Sequence, residues 1–253
     1  LLYPKAVIVA LICQTIVMPV ICFLIAKGFG LGPELAVGLM LLAATPGGAT
    51  ANLYSHLAGG DVALNITLTA VNSLLSLLTL PLILGFSLQY FLGESKSIPL
   101  QFGKIAQVLM IIVVPALIGM CLRYLKPAMA QKLDRPVNIL SAFFLVALAV
   151  IVISSQWEPL IKFFPLVGGA VTLFNVLSLV VGYAIAVWVR LERRQAIAIG
   201  MEVGIHNGAL AIGLALSPMI LNNPTMAIPP MLYGILAVFI PALFAVVVHR
   251  KRA

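Results

Sequence analysis

The chain has 253 residues, 62% of them hydrophobic and 9% charged, with a formal net charge of +8 and a mean hydropathy of +1.17. Soluble domains carry about 25% charged residues, so this composition excludes water as the main solvent and implies a lipid bilayer. The basic excess does not indicate nucleic acid, because Lys and Arg sit between apolar stretches and form no stripe with interleaved aromatics.

About 20 apolar residues cross a bilayer as a helix. In chain order the expected segments are 6–26, 34–57, 62–92, 102–124, 136–155, 160–189, 195–217 and 226–248. Eight crossings predict an all-α, multi-pass membrane bundle. The first holds Gln14, its lone side-chain amide, and closes at Gly28-Phe-Gly-Leu-Gly-Pro33. The second is interrupted by Thr45-Pro-Gly-Gly-Ala-Thr-Ala-Asn52. The third carries Asn65, Thr69, Asn72, Ser76 and Thr79, a spacing that shares one helical face. Ser76 and Thr79 read as interhelical hydrogen-bond glue, at about 0.6 kcal/mol each. Asn65 and Thr69 read as oxygen donors, near the start of a helix that follows a broken one. The seventh segment is interrupted by Glu202-Val-Gly-Ile-His-Asn-Gly208. Cys13, Cys22 and Cys121 all lie in apolar stretches and read as small packing residues, not as a disulfide or metal set. No small-residue cleavage site follows the first apolar stretch, so no signal peptide is expected. No linker is long enough to divide the chain, so 1–253 reads as a single transmembrane domain.

Strict alternation places 1–5, 58–61, 123–135, 190–194 and 249–253 on one side. That side holds eleven of the 15 Lys and Arg residues, which predicts that it is cytoplasmic and that both ends of the chain face the cytoplasm. The membrane is expected to be a bacterial inner membrane or a plasma membrane.

Glu202 is the one acid placed inside an expected span. A carboxylate there costs about 3 kcal/mol on insertion scales and acts with a partner, yet its span holds no Lys or Arg. The interrupted segments stand five positions apart in the count, an odd offset that gives them opposite senses. Paired interrupted helices of opposite sense are the signature of inverted-repeat transporters, and non-helical backbone survives at that depth only against protein or a wet cavity. Freed carbonyls, amides and carboxylate suit a hard cation. One carboxylate favours sodium over a divalent ion. The half-helix N-termini near Asn52 and Asn207 suit an anion. His206 reads as a neutral hydrogen-bonding group or as a proton carrier beside Glu202. No nucleophile arrangement, phosphate loop or zinc spacing appears, so no enzyme and no resident cofactor are expected.

Pro46-Gly-Gly-Ala-Thr-Ala-Asn52, Glu202-Val-Gly-Ile-His-Asn207 and Leu57-Ala-Gly-Gly-Asp-Val-Ala-Leu64 resemble motifs of the bile acid:sodium symporter family, and the resemblance runs along the whole chain. It implies ten helices in two inverted repeats, with two broken, crossing helices. This chain would start at the third of the ten. Residues 1–92 would be the core part of the first repeat. Residues 102–155 would be the panel part, and 160–248 the core part, of the second. The resemblance implies one sodium at Asn52, Asn65, Thr69 and Glu202, with Ala51 offering its carbonyl. It implies a second at Gln14, Glu202, the carbonyls of Val203 and Ile205, and His206, which stands where the family has Gln. Gly48, Ala49, Thr50, Asn207 and Gly208 would meet the substrate, with the Ala49-Thr50 order reversed from the family's Thr-Ala. The expected function is sodium-coupled symport of an organic anion by alternating access. A proton-coupled or uncoupled exporter, or a non-transporting membrane sensor, are the alternatives.

Overall fold

The computed structural model describes residues 3–93 and 157–250, with scattered helical positions between 110 and 143. The expected segments 102–124 and 136–155 lie outside the described residues except for those scattered positions. Lys96, Lys104, Arg123, Arg135, Lys251 and Arg252 lie outside them too.

The described residues are helical. Helix α1 runs Pro4–Gly28, α2 Pro33–Ala44, α3 Ala49–Leu57 and α4 Val62–Leu92. Then α5 runs Trp157–Trp188, α6 Arg193–Gly204, α7 Gly208–Leu216 and α8 Pro224–Arg250. Four of these are long and apolar enough to cross a membrane: Pro4–Gly28, Val62–Leu92, Ile161–Trp188 and Pro224–Val248. They wear their apolar surface outward. Ile8, Ile12, Ile16, Val20 and Leu24 on α1, and Leu74, Leu78, Leu82, Phe86 and Tyr90 on α4, are exposed at helical spacing. This protein is an integral membrane protein.

The other four helices are half-length. Both α2 and α6 have 12 residues, and both α3 and α7 have 9. A 12-residue helix rises only about 18 Å, too little for a hydrocarbon core of about 30 Å. Leu35–Ala44 of α2 and Gln195–Gly204 of α6 are buried on every side, as fits helices wrapped by protein rather than lipid. The turns before them also match. Gly30 (φ 59) and Arg190 (φ 60) each reverse the chain in the left-handed region. The Leu31 amide donates to the Ala26 carbonyl at 3.1 Å, and the Leu191 amide to the Ala186 carbonyl at 3.0 Å. Glycine adopts that conformation without steric cost.

Both interruptions are shorter than the sequence predicts. Helix α3 begins at Ala49, so Asn52 lies a turn inside the half-helix and does not end the break. Helix α6 continues to Gly204, closed by the Ile205 amide on the Met201 carbonyl at 3.0 Å. Glu202 therefore sits in a final helical turn, where the sequence places it in unwound chain. Asn207 does cap α7, accepting from the Leu210 amide at 3.0 Å.

Loops gather at two ends. At one, Lys5 Nζ donates to the Val189 carbonyl at 2.6 Å, the Asp61 amide to the Arg194 carbonyl at 2.9 Å, and Arg193 to the Val248 carbonyl. At the other, Lys27 Nζ donates to Tyr90 Oη at 2.9 Å and Asn223 Nδ2 to Glu34 Oε1 at 2.9 Å. Lys5, Asp61, the 190–194 turn and Val248 near the end of α8 thus share one end.

Gly38 lets α2 cross α8 with backbones touching, since a Cβ there would run into the carbonyl group of Met226. Backbone cannot swing aside. Gly38→Ala is expected to cost about 3 kcal/mol, read as a lowered melting temperature in detergent micelles.

Candidate cation and anion site

Glu202 is fully buried. Its carboxylate accepts from three side chains of α4. Thr69 Oγ1 lies 2.6 Å from Oε2, Asn65 Nδ2 lies 3.3 Å from Oε2, and Asn72 Nδ2 lies 3.2 Å from Oε1. These donors are neutral. Among the described residues no fixed cation neutralises this carboxylate, so its charge is left to be balanced by a bound cation or a proton. On its other flank stands Gly47 of the first break. A Cβ at Gly47 would overlap both carboxylate oxygens, so the carboxylate occupies the space that a larger residue would fill.

The breaks run past one another antiparallel. Gly47 and His206 form a bridge. The Gly48 amide donates to the Ile205 carbonyl at 2.8 Å, and the Asn207 amide to the Pro46 carbonyl at 3.0 Å. The His206 amide donates to Tyr233 Oη at 2.8 Å. In an unbroken helix the amides of His206 and Asn207 would close on the carbonyls of Glu202 and Val203. Here they serve other partners, which frees those two carbonyls next to the carboxylate.

A second cluster surrounds His206. In α1 a π-helical turn over Cys13–Val17 closes through the Met18 amide on the Cys13 carbonyl, and it carries Gln14. Such turns recur at functional sites. Gln14 Nε2 donates to the Thr45 carbonyl at 2.9 Å and lies 3.4 Å from His206 Nδ1. The far ring nitrogen, Nε2, lies 3.4 Å from Ser178 Oγ, whose hydroxyl donates to the Phe174 carbonyl at 2.7 Å. Ser178 therefore accepts from the ring, and the network suits a neutral imidazole protonated at Nε2. The ring also stacks on Phe174, with centroids 4.9 Å apart. Tyr233 Oη donates to the Gly204 carbonyl at 2.9 Å.

Buried polar atoms in proteins nearly always find partners. Here the side-chain oxygens of Gln14, Asn52, Asn65, Asn72 and Asn175 are buried without any. Amide and carboxylate oxygens are the ligand types that hard monovalent cations take. Beside this buried set the start of each half-helix opens outward. Thr50 and Ala209 are exposed, and Asn207 and Gly208 are half-buried. The free amides of a helix N-terminus favour an anion.

The family model described as "Sodium Bile acid symporter family" matches residues 1–163, well over half of the chain. The chain belongs to the sodium bile acid symporter family. It is 27% identical to an uncharacterized sodium-dependent transporter, YocS, of Bacillus subtilis, over 92% of this chain and 70% of that protein. It is 31% identical to the human P3 protein over 83% of this chain, which spans 44% of that relative. It is 27% identical to the human ileal sodium/bile acid cotransporter, over 95% of this chain and 69% of that protein.

Of the residues that the resemblance implies for the first sodium, Asn65, Thr69 and Glu202 meet directly. Ala51 is buried, and its amide donates to the Gly48 carbonyl at 2.9 Å. Asn52 contributes a buried, unpartnered oxygen. Of those implied for the second, Gln14 and His206 face each other. The Ile205 carbonyl already accepts from Gly48, and the Val203 carbonyl is released by the break. Sequence reasoning gave no site role to Asn72, Gly47, Asn175, Ser178 or Tyr233. Asn72 carried a signal, since it shares the face of Asn65 and Thr69. Tyr233 and Asn175 carried none, because apolar helices far along the chain deliver them.

Proposed function

We propose that this chain is a sodium-coupled symporter of an organic anion, acting by alternating access. The observation that carries this reading is the Glu202 carboxylate, held by three neutral α4 side chains and flanked by two antiparallel breaks with unpartnered amide oxygens. Sodium binds at Glu202 with oxygens of Asn65, Thr69 and Asn52 and the Ala51 carbonyl. A second ion takes Gln14, His206 and the carbonyls of Val203 and Ile205. Bound sodium offsets the buried negative charge and ties α4 to both breaks. That ordering sets the N-termini of α3 and α7, with Gly48, Ala49, Thr50, Asn207 and Gly208, to receive the substrate's negative group.

The equal half-helix lengths and repeated turns support two repeats, and the antiparallel breaks support their inversion. Residues 1–92 and 160–248 form the core, and 102–155 belong to a panel against which the core rocks. The end bearing Lys5, Arg190, Arg193 and Arg194 faces the cytoplasm. Relatives named as sodium/bile acid cotransporters and as a sodium-dependent organic anion transporter support the substrate class.

The test is uptake of a labelled bile acid, and of a smaller labelled organic anion, by proteoliposomes. Uptake driven by an inward sodium gradient and lost in choline is the expected result. Uptake that ignores sodium but follows a pH gradient favours proton coupling through His206 instead. Binding without flux favours a sensor.

A further inference from the structure

Asn72 stands apart from the residues assigned above. It is 2% exposed. Its Nδ2 donates to Glu202 Oε1 at 3.2 Å, whereas Thr69 and Asn65 both address Oε2. Asn72 is thus the α4 side chain that commands the second carboxylate oxygen. Its own Oδ1 is buried without a partner.

We propose that Asn72 is a further oxygen ligand of the cation bound at Glu202, entering the ion's shell by rotation of its amide. The proposal rests on the sodium-coupled reading above. A cation at Oε1 and the Nδ2 group of Asn72 compete for the same lone pairs. The terminal torsion of asparagine is broad and roughly two-fold, so half a turn exchanges N for O. That turn removes a positive edge from the cation's path and turns an unpartnered oxygen toward it. It leaves Nδ2 where Oδ1 now lies.

The exchange links ion binding to α4 over the full Asn65–Asn72 face, two turns instead of one. It also gives the site a means of discrimination. An amide oxygen on a packed helix is held at a set distance, so it favours the ion whose radius closes the shell. Lithium and potassium would each leave that shell loose or stretched.

The experiment measures sodium binding to the purified, detergent-solubilised chain, by labelled sodium and by thermal shift in sodium, lithium, potassium and choline. Wild type, Glu202→Gln, Asn72→Ala and Asn72→Asp are compared. Asn72→Ala is expected to weaken sodium binding about tenfold and to narrow the preference for sodium over lithium. Asn72→Asp keeps Oδ1 and loses the donor. It is expected to hold or raise sodium affinity and to acquire a calcium-dependent thermal shift.

Unchanged sodium affinity and ion order in Asn72→Ala overturn the proposal, provided Glu202→Gln has lost the response. Should Asn72→Ala not fold, Asn72→Asp decides alone. Sodium binding lost there as fully as in Glu202→Gln means that Asn72 serves only as a donor to the carboxylate, and the proposal fails. A wild type without any sodium response refutes the coupled reading itself, and this ligand with it.

Discussion

Glu202→Gln is expected to lose sodium binding by about a hundredfold or more, equivalent to about 2.7 kcal/mol, while the protein still folds. Glutamine preserves shape and one acceptor, so Thr69 Oγ1, now 2.6 Å from Oε2, keeps a partner. What disappears is the formal charge, the sole one in a ligand set otherwise made of neutral oxygens. In sodium-free buffer the variant should melt at or above the wild-type temperature. A buried carboxylate costs about 3 kcal/mol at mid-membrane depth on insertion scales, and removing it removes that cost. Adding sodium should then raise the melting temperature of the wild type alone, because a ligand that binds only the folded state stabilises it by mass action. The opposing signs separate this site from an ordinary structural acid. If Glu202 merely held α4 to α6, its replacement would lower stability in every buffer and leave the sodium-induced shift in place.

Gly47→Ala is the second large effect, and it reaches the carboxylate from the other flank. The added Cβ would overlap both carboxylate oxygens of Glu202. No left-handed backbone conformation is involved at Gly47, so alanine suits the local chain and the conflict is purely spatial. The carboxylate is the more movable partner, yet it moves only by leaving the donors on α4. Overpacking of this kind costs about 1–3 kcal/mol. Its functional cost is larger, since sodium affinity should fall about ten- to a hundredfold together with sodium-driven uptake. Gly213→Ala is the matched control. A Cβ there meets nothing within 4 Å, and alanine improves helix propensity, so its melting temperature should equal or exceed wild type. Equal sodium affinities in the two glycine variants would show that the first break does not shape the ion's site.

How much was legible in the sequence follows from how each residue announces itself. Glu202 stands out because a lone acid in an apolar span has no other account. Asn65 and Thr69 stand out because helical spacing aligns them, and the same spacing is the signal that Asn72 carries. The interruptions are visible in Pro46-Gly47-Gly48 and in the Gly204–Gly208 stretch, although their limits are not. Glycine and small residues mark where a helix can break. The actual ends are decided by which carbonyl each amide finds. Ile205 closes on Met201 inside its own helix, whereas Gly48 and Asn207 close on the opposite break.

Composition and pattern alone determined a membrane solvent, the places of the four long helices among the described residues, the two broken segments and the buried acid between them. Each of these is a property of a single stretch of chain, set by hydropathy and period. The tertiary structure decided which groups meet that charge: Asn72 on its second oxygen, Gly47 on its flank, and His206 locked among Gln14, Ser178 and Phe174. Glu202 lies 130 positions from Asn72, and His206 lies 192 from Gln14 and 28 from Ser178; all are brought together when α4, α5 and α1 pack around the crossing breaks, and no local pattern encodes a distance across helices.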